Sequence, residues 1–218
     1  MGIDVWLPRA VAGQKPEPAH PSAAVAKHSP PEVADSWEAL QAEVSPCTRC
    51  DLCKTRIQTV FGSGNKNAGW MIIGEGPGHS EDQQGLPFVG KAGQLLTEML
   101  RAIGLDREEV FIANIVKCRP PANRDPKPIE IEACKPYLLR QIALLKPKII
   151  VVAGRVAAQA LLTTDEPIGR LREKIHALNG TPVVVVYHPA YLLRSLLDKR
   201  KAWTDLKRAL QIYKNIKG

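Results

Sequence analysis

The sequence predicts an α/β protein in which helices cover both faces of a mostly parallel sheet. Three observations point there. Short β-branched apolar runs alternate along the chain with longer stretches of helical periodicity, the signature of strand–helix–strand units. The first core run, Trp70 to Ile73, stops at Gly74-Glu-Gly-Pro-Gly78, a strand-then-glycine turn of the kind that sets a ligand-binding loop at the carboxyl edge of such a sheet. The chain of 218 residues is long enough for one domain with a real core plus a tail.

Residues 1–34 carry Pro16, Pro18, Pro21, Pro30 and Pro31 among Ala, Ser, Lys and His. They read as a disordered arm or linker, leaving 35–218 as the folded domain. Within the arm, Val5, Trp6 and Leu7 offer a docking segment for an unknown protein partner. Asp35-Ser36 supplies an N-cap for a short helix from Trp37. Residues 59–64 predict a strand or turn ahead of the strand at 70–73. The glycines that follow are spaced G-x-G-x-G, and 79–87 are polar with Gly85 and Pro87. No helix is therefore expected directly after the turn, the dinucleotide fingerprint is excluded, and Glu81 and Asp82 read as a solvated loop face.

The clearest helix is 91–105, where Leu95, Leu96, Met99, Leu100 and Ile103 share one face and Gly104 ends it. The β-branched run 110–116 predicts a buried strand, followed by an irregular loop holding Pro120, Pro121, Pro126 and Pro128. A helix over about 129–145, a strand at 148–152 and a helix at 156–162 come next. The last core strand, 181–187, runs into His188-Pro189, and a basic helix is expected over 198–216.

A formal charge of +8 favours a polyanionic partner. Five cysteines in a chain of this length do not resemble a secreted disulfide framework. The N-terminus lacks a basic segment followed by an apolar one, so no secretory leader is read, and the cytoplasm is the expected location. No apolar run approaches the roughly 20 residues of a membrane helix, and no membrane association is expected.

Cys47 and Cys50 form C-x-x-C, with Cys118 and Cys134 far downstream. Four thiolates gathered by the fold suit tetrahedral zinc or a 4Fe-4S cluster, and spacing does not separate the two. Cys53 extends the run to C-x-x-C-x-x-C, the pattern of small ferredoxins.

Four features fall at strand ends, where one pocket would collect them: the Gly74–Gly78 turn with Glu75, Phe88, Asn114 and His188. A carboxamide offers a donor and an acceptor together, matching a carbonyl beside a ring N–H. Phenylalanine supplies a stacking face. The set suits a planar heterocycle.

The motifs Gly74-Glu-Gly-Pro-Gly78, Gly85-Leu-Pro-Phe-Val-Gly-Lys-Ala-Gly93, Asn114-Ile-Val-Lys-Cys-Arg-Pro-Pro121 with Asn123-Arg124, and His188-Pro-Ala-Tyr-Leu-Leu-Arg194 resemble those of the family 4 uracil-DNA glycosylases. The resemblance runs from about residue 36 to the C-terminus. It implies a three-layer α/β/α sandwich around a four-stranded, mostly parallel sheet, and a structural 4Fe-4S cluster, rather than zinc, on Cys47, Cys50, Cys118 and Cys134, with Cys53 a bystander. It also implies a monofunctional glycosylase that flips uracil out of single- or double-stranded DNA and leaves an abasic site. A monomer is expected.

In that scheme Gly74, Gly76, Gly78, Glu81, Phe88, Asn114 and His188 bind the base. Asn114 reads its O4 and N3–H edge, Glu81 guards C5, and His188 stabilises the departing anion near O2, with Glu75 a catalytic candidate. Leu192 or Leu193 wedges into the base stack, and Arg194 holds phosphate. Two positions depart from better-known uracil glycosylases: Gly76 stands where they place an aspartate for water, and Gly78 where a tyrosine blocks the thymine methyl. The competing readings are a non-catalytic, cluster-bearing nucleic-acid module, such as one accompanying a polymerase, and a relative that traps uracil-DNA covalently. Relatives of the latter kind carry a basic insert that 79–93 lack.

Overall fold

The computed structural model describes residues 36–217; the proposed arm, its boundary and Asp35 lie outside the described residues. The first helix, α1 (Trp37–Val44), is capped as expected, with Ser36 Oγ accepting from Ala39 N at 3.1 Å. Strands β2 (Trp70–Gly74), β3 (Val110–Asn114), β4 (Ile149–Ala153) and β6 (Thr181–Val186) lie in the order β3-β2-β4-β6, all parallel. They are the four strands the apolar runs predict. Two short strands extend the sheet antiparallel at its edges, β1 (Ser63–Gly64) on β3 and β5 (Ile175–Leu178) on β6, giving six strands in all.

Strands buried on both faces read as continuous apolar runs, and successive side chains divide between two layers. Met71, Ile73, Phe111, Ala113, Ile150 and Val152 pack with α1, α4 (Pro128–Leu145) and α5 (Arg155–Leu162). Trp70, Ile72, Val110, Ile112, Val151 and Val184 pack with α3 (Lys91–Ala102) and α8 (Lys199–Lys217). The result is the α/β/α sandwich. Helix α3 ends as the sequence indicates, with Gly104 at φ +78 and Leu105 N bonded back to Leu100 O at 3.1 Å.

Two expectations fail. Helix α2 (His79–Gln84) does open directly from the glycine turn. Glu81 Oε2 accepts from Gly78 N at 3.1 Å, and Gly85 at φ +70 closes the helix. A helix this short has no apolar face for periodicity to reveal. Nor do Glu81 and Asp82 form a solvated face: Asp82 is buried, its Oδ1 accepting from Ile57 N at 3.0 Å and Gln58 N at 3.4 Å.

Helix α8 is fastened to the turn ahead of β5 by a buried ion pair, Arg172 Nε to Asp205 Oδ2 at 2.7 Å. The same guanidinium lies 4.6 Å above the Tyr187 ring, and Arg208 Nη1 donates to Arg172 O at 2.8 Å. Removing one partner of such a pair strands the other charge in the interior. Asp205→Ala is therefore expected to lower unfolding stability by about 3–5 kcal/mol, read by denaturant titration; a change within about 0.5 kcal/mol, typical of a surface site, would contradict the assignment.

Candidate active site

The carboxyl ends of β2, β3 and β6 meet around a cavity of about 480 Å³, whose walls include Glu75, Phe88, Asn114, Asn123 and His188. Gly74 and Asn114 are paired across β2 and β3 as the last residue of each strand. A Cβ on Gly74 would strike both Asn114 Oδ1 and the Phe88 ring. Glycine there is what lets the amide and the ring border one narrow slot.

Asn114 is only 2 % exposed, and its Oδ1 is buried with no hydrogen-bond partner. Leaving a buried acceptor unpaired costs about 1–3 kcal/mol, so such atoms are scarce and point to an absent donor.

Phe88 holds φ +52, a conformation that side chains beyond glycine adopt reluctantly. Its neighbours enforce it. Glu81 Oε1 accepts from Val89 N and Gly90 N, both at 2.9 Å, and Arg107 Nη2 donates to Pro87 O at 2.5 Å. A Cβ on Gly93 would overlap the Phe88 carbonyl, so that glycine lets α3 seat against the loop. Glu81 lines the cavity, but both of its oxygens already hold main-chain N–H groups, and what it does in the fold is brace the turn and the Phe88 loop.

His188 follows β6 and faces Phe88 nearly parallel, ring centroids 5.7 Å apart at 29°. Its Nδ1 accepts from Ala190 N at 3.1 Å. The neutral ring therefore carries its proton on Nε2. Burial drives its pKa down to about 4, with Arg194 adding and Glu81 opposing, so the imidazole is uncharged at neutral pH. Glu75 moves the other way. Burial, helped by Asp125 and opposed by Arg155, raises its carboxyl to about 7.

Gly76 packs so closely that a Cβ would lie 2.7 Å from Val116 Cγ2, which explains why no side chain occupies that position. Gly78 presents its N–H to Glu81. Asn123, Arg124, Asp125 and Tyr191 also line the cavity; neither the proline-rich loop nor the one-turn helix Pro189–Leu192 carries a periodic signal that would place them there. The loop is fixed by Arg124, whose Nη1 and Nη2 meet Glu130 Oε2 and Oε1 at 2.9 and 2.7 Å. The tandem positive φ of Ala122 and Asn123 turns it toward the cavity.

In the segment after His188, Leu192 is 1 % exposed and packs inward, whereas Leu193 is 42 % exposed. Of the two wedge candidates only Leu193 reaches solvent. Arg194 lines the cavity.

On the other side of β3, Cys47, Cys50, Cys118 and Cys134 ring a second, smaller cavity, and all are free thiols. Cys53 sits in a 3-10 turn (Asp51–Lys54) and does not line it. Among the described residues no three His, Cys, Asp or Glu side chains converge closely enough to hold a single metal ion. Donors point at the sulfurs: Arg56 Nη1 to Cys118 Sγ at 3.1 Å and Lys117 N to Cys134 Sγ at 3.2 Å. Burial pushes Cys118 up to about 11, against Arg56, and raises Cys50 and Cys134 as well.

A family model described as the uracil DNA glycosylase superfamily matches residues 61–207. Among curated proteins the chain is 44% identical over 182 residues to a type-4 uracil-DNA glycosylase of Archaeoglobus fulgidus, covering 80% of this chain and 92% of that protein. It is 46% identical over 166 residues to one of Pyrobaculum aerophilum (71% and 83%), and 41% identical over 181 residues to one of Thermotoga maritima (81% and 94%). The match takes in β2, β3, β4 and β6 with the turns that build the slot, and the chain belongs to the uracil-DNA glycosylase superfamily, within its type-4 family.

Proposed function

We propose that this chain hydrolyses the N-glycosidic bond of uracil in DNA, releasing the base and leaving an abasic site without cutting the strand. The observation that carries the reading is the buried, unpartnered Asn114 Oδ1 beside the Phe88 ring. Uracil brings the missing donor in its N3–H, and the amide nitrogen then faces O4. Cytosine presents a bare acceptor and an amine instead, so both contacts fail, and a polar site built for one pattern rejects the other strongly. A base in a duplex lies out of reach, so the target nucleotide is turned out of the stack at a cost of a few kcal/mol.

Departure leaves negative charge on the uracil near O2. His188 is suited to meet it as a neutral donor through Nε2–H, together with the main-chain N–H groups of Glu75 and Gly76 in the glycine turn, because donors held in place in a dry site stabilise developing charge without reorganising. Glu75, with a carboxyl poised near neutrality, is the group in this wall able to take a proton from the incoming water. Leu193 is assigned the wedge in the base stack and Arg194 a phosphate.

Cys47, Cys50, Cys118 and Cys134 are assigned a 4Fe-4S cluster. Four thiols lining one small cavity, with N–H donors aimed at Cys118 and Cys134 sulfur, suit a thiolate-held metal group, and the likeness to the type-4 family favours the cluster over one zinc ion. With such a group bound, Cys118, Cys134 and the Cys47–Cys50 pair would cross-link the loop after β3 to α4 and to the segment after α1. The non-catalytic reading is disfavoured, since binding alone calls for basic surface rather than a slot with an unpaired amide oxygen.

Purified, cluster-loaded protein is expected to release free uracil from uracil-containing oligonucleotides and to leave alkali-labile sites. Asn114→Asp is expected to lower kcat/KM at least about a hundredfold, the scale of losing a pair of base-edge contacts. No release by stoichiometric wild-type enzyme, on single or double strands, would refute the proposal.

The carboxyl of Glu75 also sets a pH dependence. For wild type, kcat/KM is expected to rise up to about pH 7 and level off, following ionisation of Glu75. Glu75→Gln is expected to be slower and flat from there down toward the His188 limb near 4. Stability gives an independent check. A pKa raised in the fold opposes folding once the free carboxyl ionises, so the penalty is absent below about pH 4 and full above about pH 7. Glu75→Gln should therefore raise Tm at about pH 8 and leave it unchanged at about pH 4; equal Tm values at both would contradict the burial assigned to this group.

A further inference from the structure

Lys117 is 1 % exposed, yet no carboxylate is paired with it among the described residues. Its Nζ donates to Asn114 O at 2.8 Å and to Gln141 Oε1 at 2.6 Å, both neutral acceptors. An ammonium removed from water loses several kcal/mol of solvation that neutral acceptors do not restore. The charged groups that would face it are the Cys118 and Cys134 thiols, which become anionic when they take a metal cluster.

The same residue reaches every part of its surroundings. Its amide donates to Cys134 Sγ at 3.2 Å, and its carbonyl accepts from Val60 N at 2.7 Å. Gln141, on α4, passes the chain of bonds on through Nε2 to Phe61 O at 2.9 Å. At the other end, Asn114 O is the last carbonyl of β3, directly behind the side chain that closes the slot. The next two amides, Ile115 and Val116, bond Gly74 O and Glu75 O at 2.9 and 3.1 Å.

We propose that Lys117 is a positioning residue that couples the cysteine-held group to base reading. Its ammonium is the internal counter-charge of the anionic cluster, and in that place it clamps the Asn114 carbonyl and so the angle at which the Asn114 amide meets the base. The inference rests on the cluster and uracil assignments made above. It adds a physical link between two sites that lie on opposite sides of β3, and it gives the cluster a second consequence beyond cross-linking.

The test uses the full chain, wild type and Lys117→Met, which keeps the length of the side chain and removes its charge. Three properties are measured: the rate at which a chelator bleaches the cluster's visible absorption, the cluster's midpoint potential, and single-turnover uracil release per bound cluster. Faster bleaching by at least about tenfold and a more negative midpoint are expected, because loss of a nearby cation favours the oxidised cluster. In the loaded fraction the single-turnover rate constant is expected to fall about ten- to a hundredfold, the scale of one charge-assisted hydrogen bond, with the half-saturating enzyme concentration within about twofold. Wild-type bleaching and midpoint, or a wild-type single-turnover rate, would overturn the proposal.

Should Lys117→Met fail to fold, hydrogen exchange on wild-type protein during cluster removal decides the matter. Protection lost at the amides of Ile115, Val116 and Lys117 before those of β4 and β6 supports the coupling; loss everywhere in step, or none at 115–117, overturns it. An active wild type with an indifferent Lys117→Met would sink the coupling alone, whereas a wild type that releases no uracil would sink the reading of the site.

Discussion

The parallel pairing of β2 with β3, which sets Gly74 directly beside Asn114, is the constraint on which the rest of the site depends. Both strands end at that step. One contributes no side chain and the other a carboxamide, so the Phe88 ring and the Asn114 amide both come close to the sheet at that step and border the cavity together. A shift of one residue in register would turn Asn114 to the opposite face of the sheet and put Ala113 or Ile115 beside Gly74. The continuous apolar runs on both strands, sorted into two helix-covered layers, are what hold this register.

Around the slot the fold tolerates several local costs. Asn114 Oδ1 is unpaired, Phe88 sits in the left-handed region, His188 is kept neutral well below its ordinary pKa, and the Glu75 carboxyl is raised. The first two and the Glu75 carboxyl oppose folding at neutral pH, His188 does so only below its ordinary pKa, and all four cluster at one edge of the sheet. Such a concentration marks a surface shaped for a ligand rather than for stability. The opposing supports are equally local: Glu81 holds three main-chain N–H groups, Arg107 the Pro87 carbonyl, and Arg124 the carboxylate of Glu130.

Much of this was legible in the sequence, for identifiable reasons. The four core strands are β-branched runs, and α3 has an apolar face, so period alone exposes them. Asn114 and His188 announce themselves as polar residues at the ends of such runs. Other features leave no periodic trace. Helix α2 is all polar and is held by one carboxylate and one glycine. Strand β5 is half exposed; its signal was the Asn179-Gly180 pair, both at positive φ, a hairpin turn ahead of β6. The inward facing of Leu192 against Leu193 depends on how α7 (Pro189–Leu192) packs against α3, which two adjacent leucines cannot reveal. The position of Lys117 was invisible too, because a lysine after a strand reads as surface until α4 is seen to bury it.

The most direct test of the account is a crystal structure of the cluster-loaded protein soaked with free uracil. The account predicts the base lying against Phe88, with N3–H within hydrogen-bond distance of Asn114 Oδ1 and O2 toward His188 Nε2. Uracil bound elsewhere, or in the slot with its N3 edge turned away from Asn114, would contradict it.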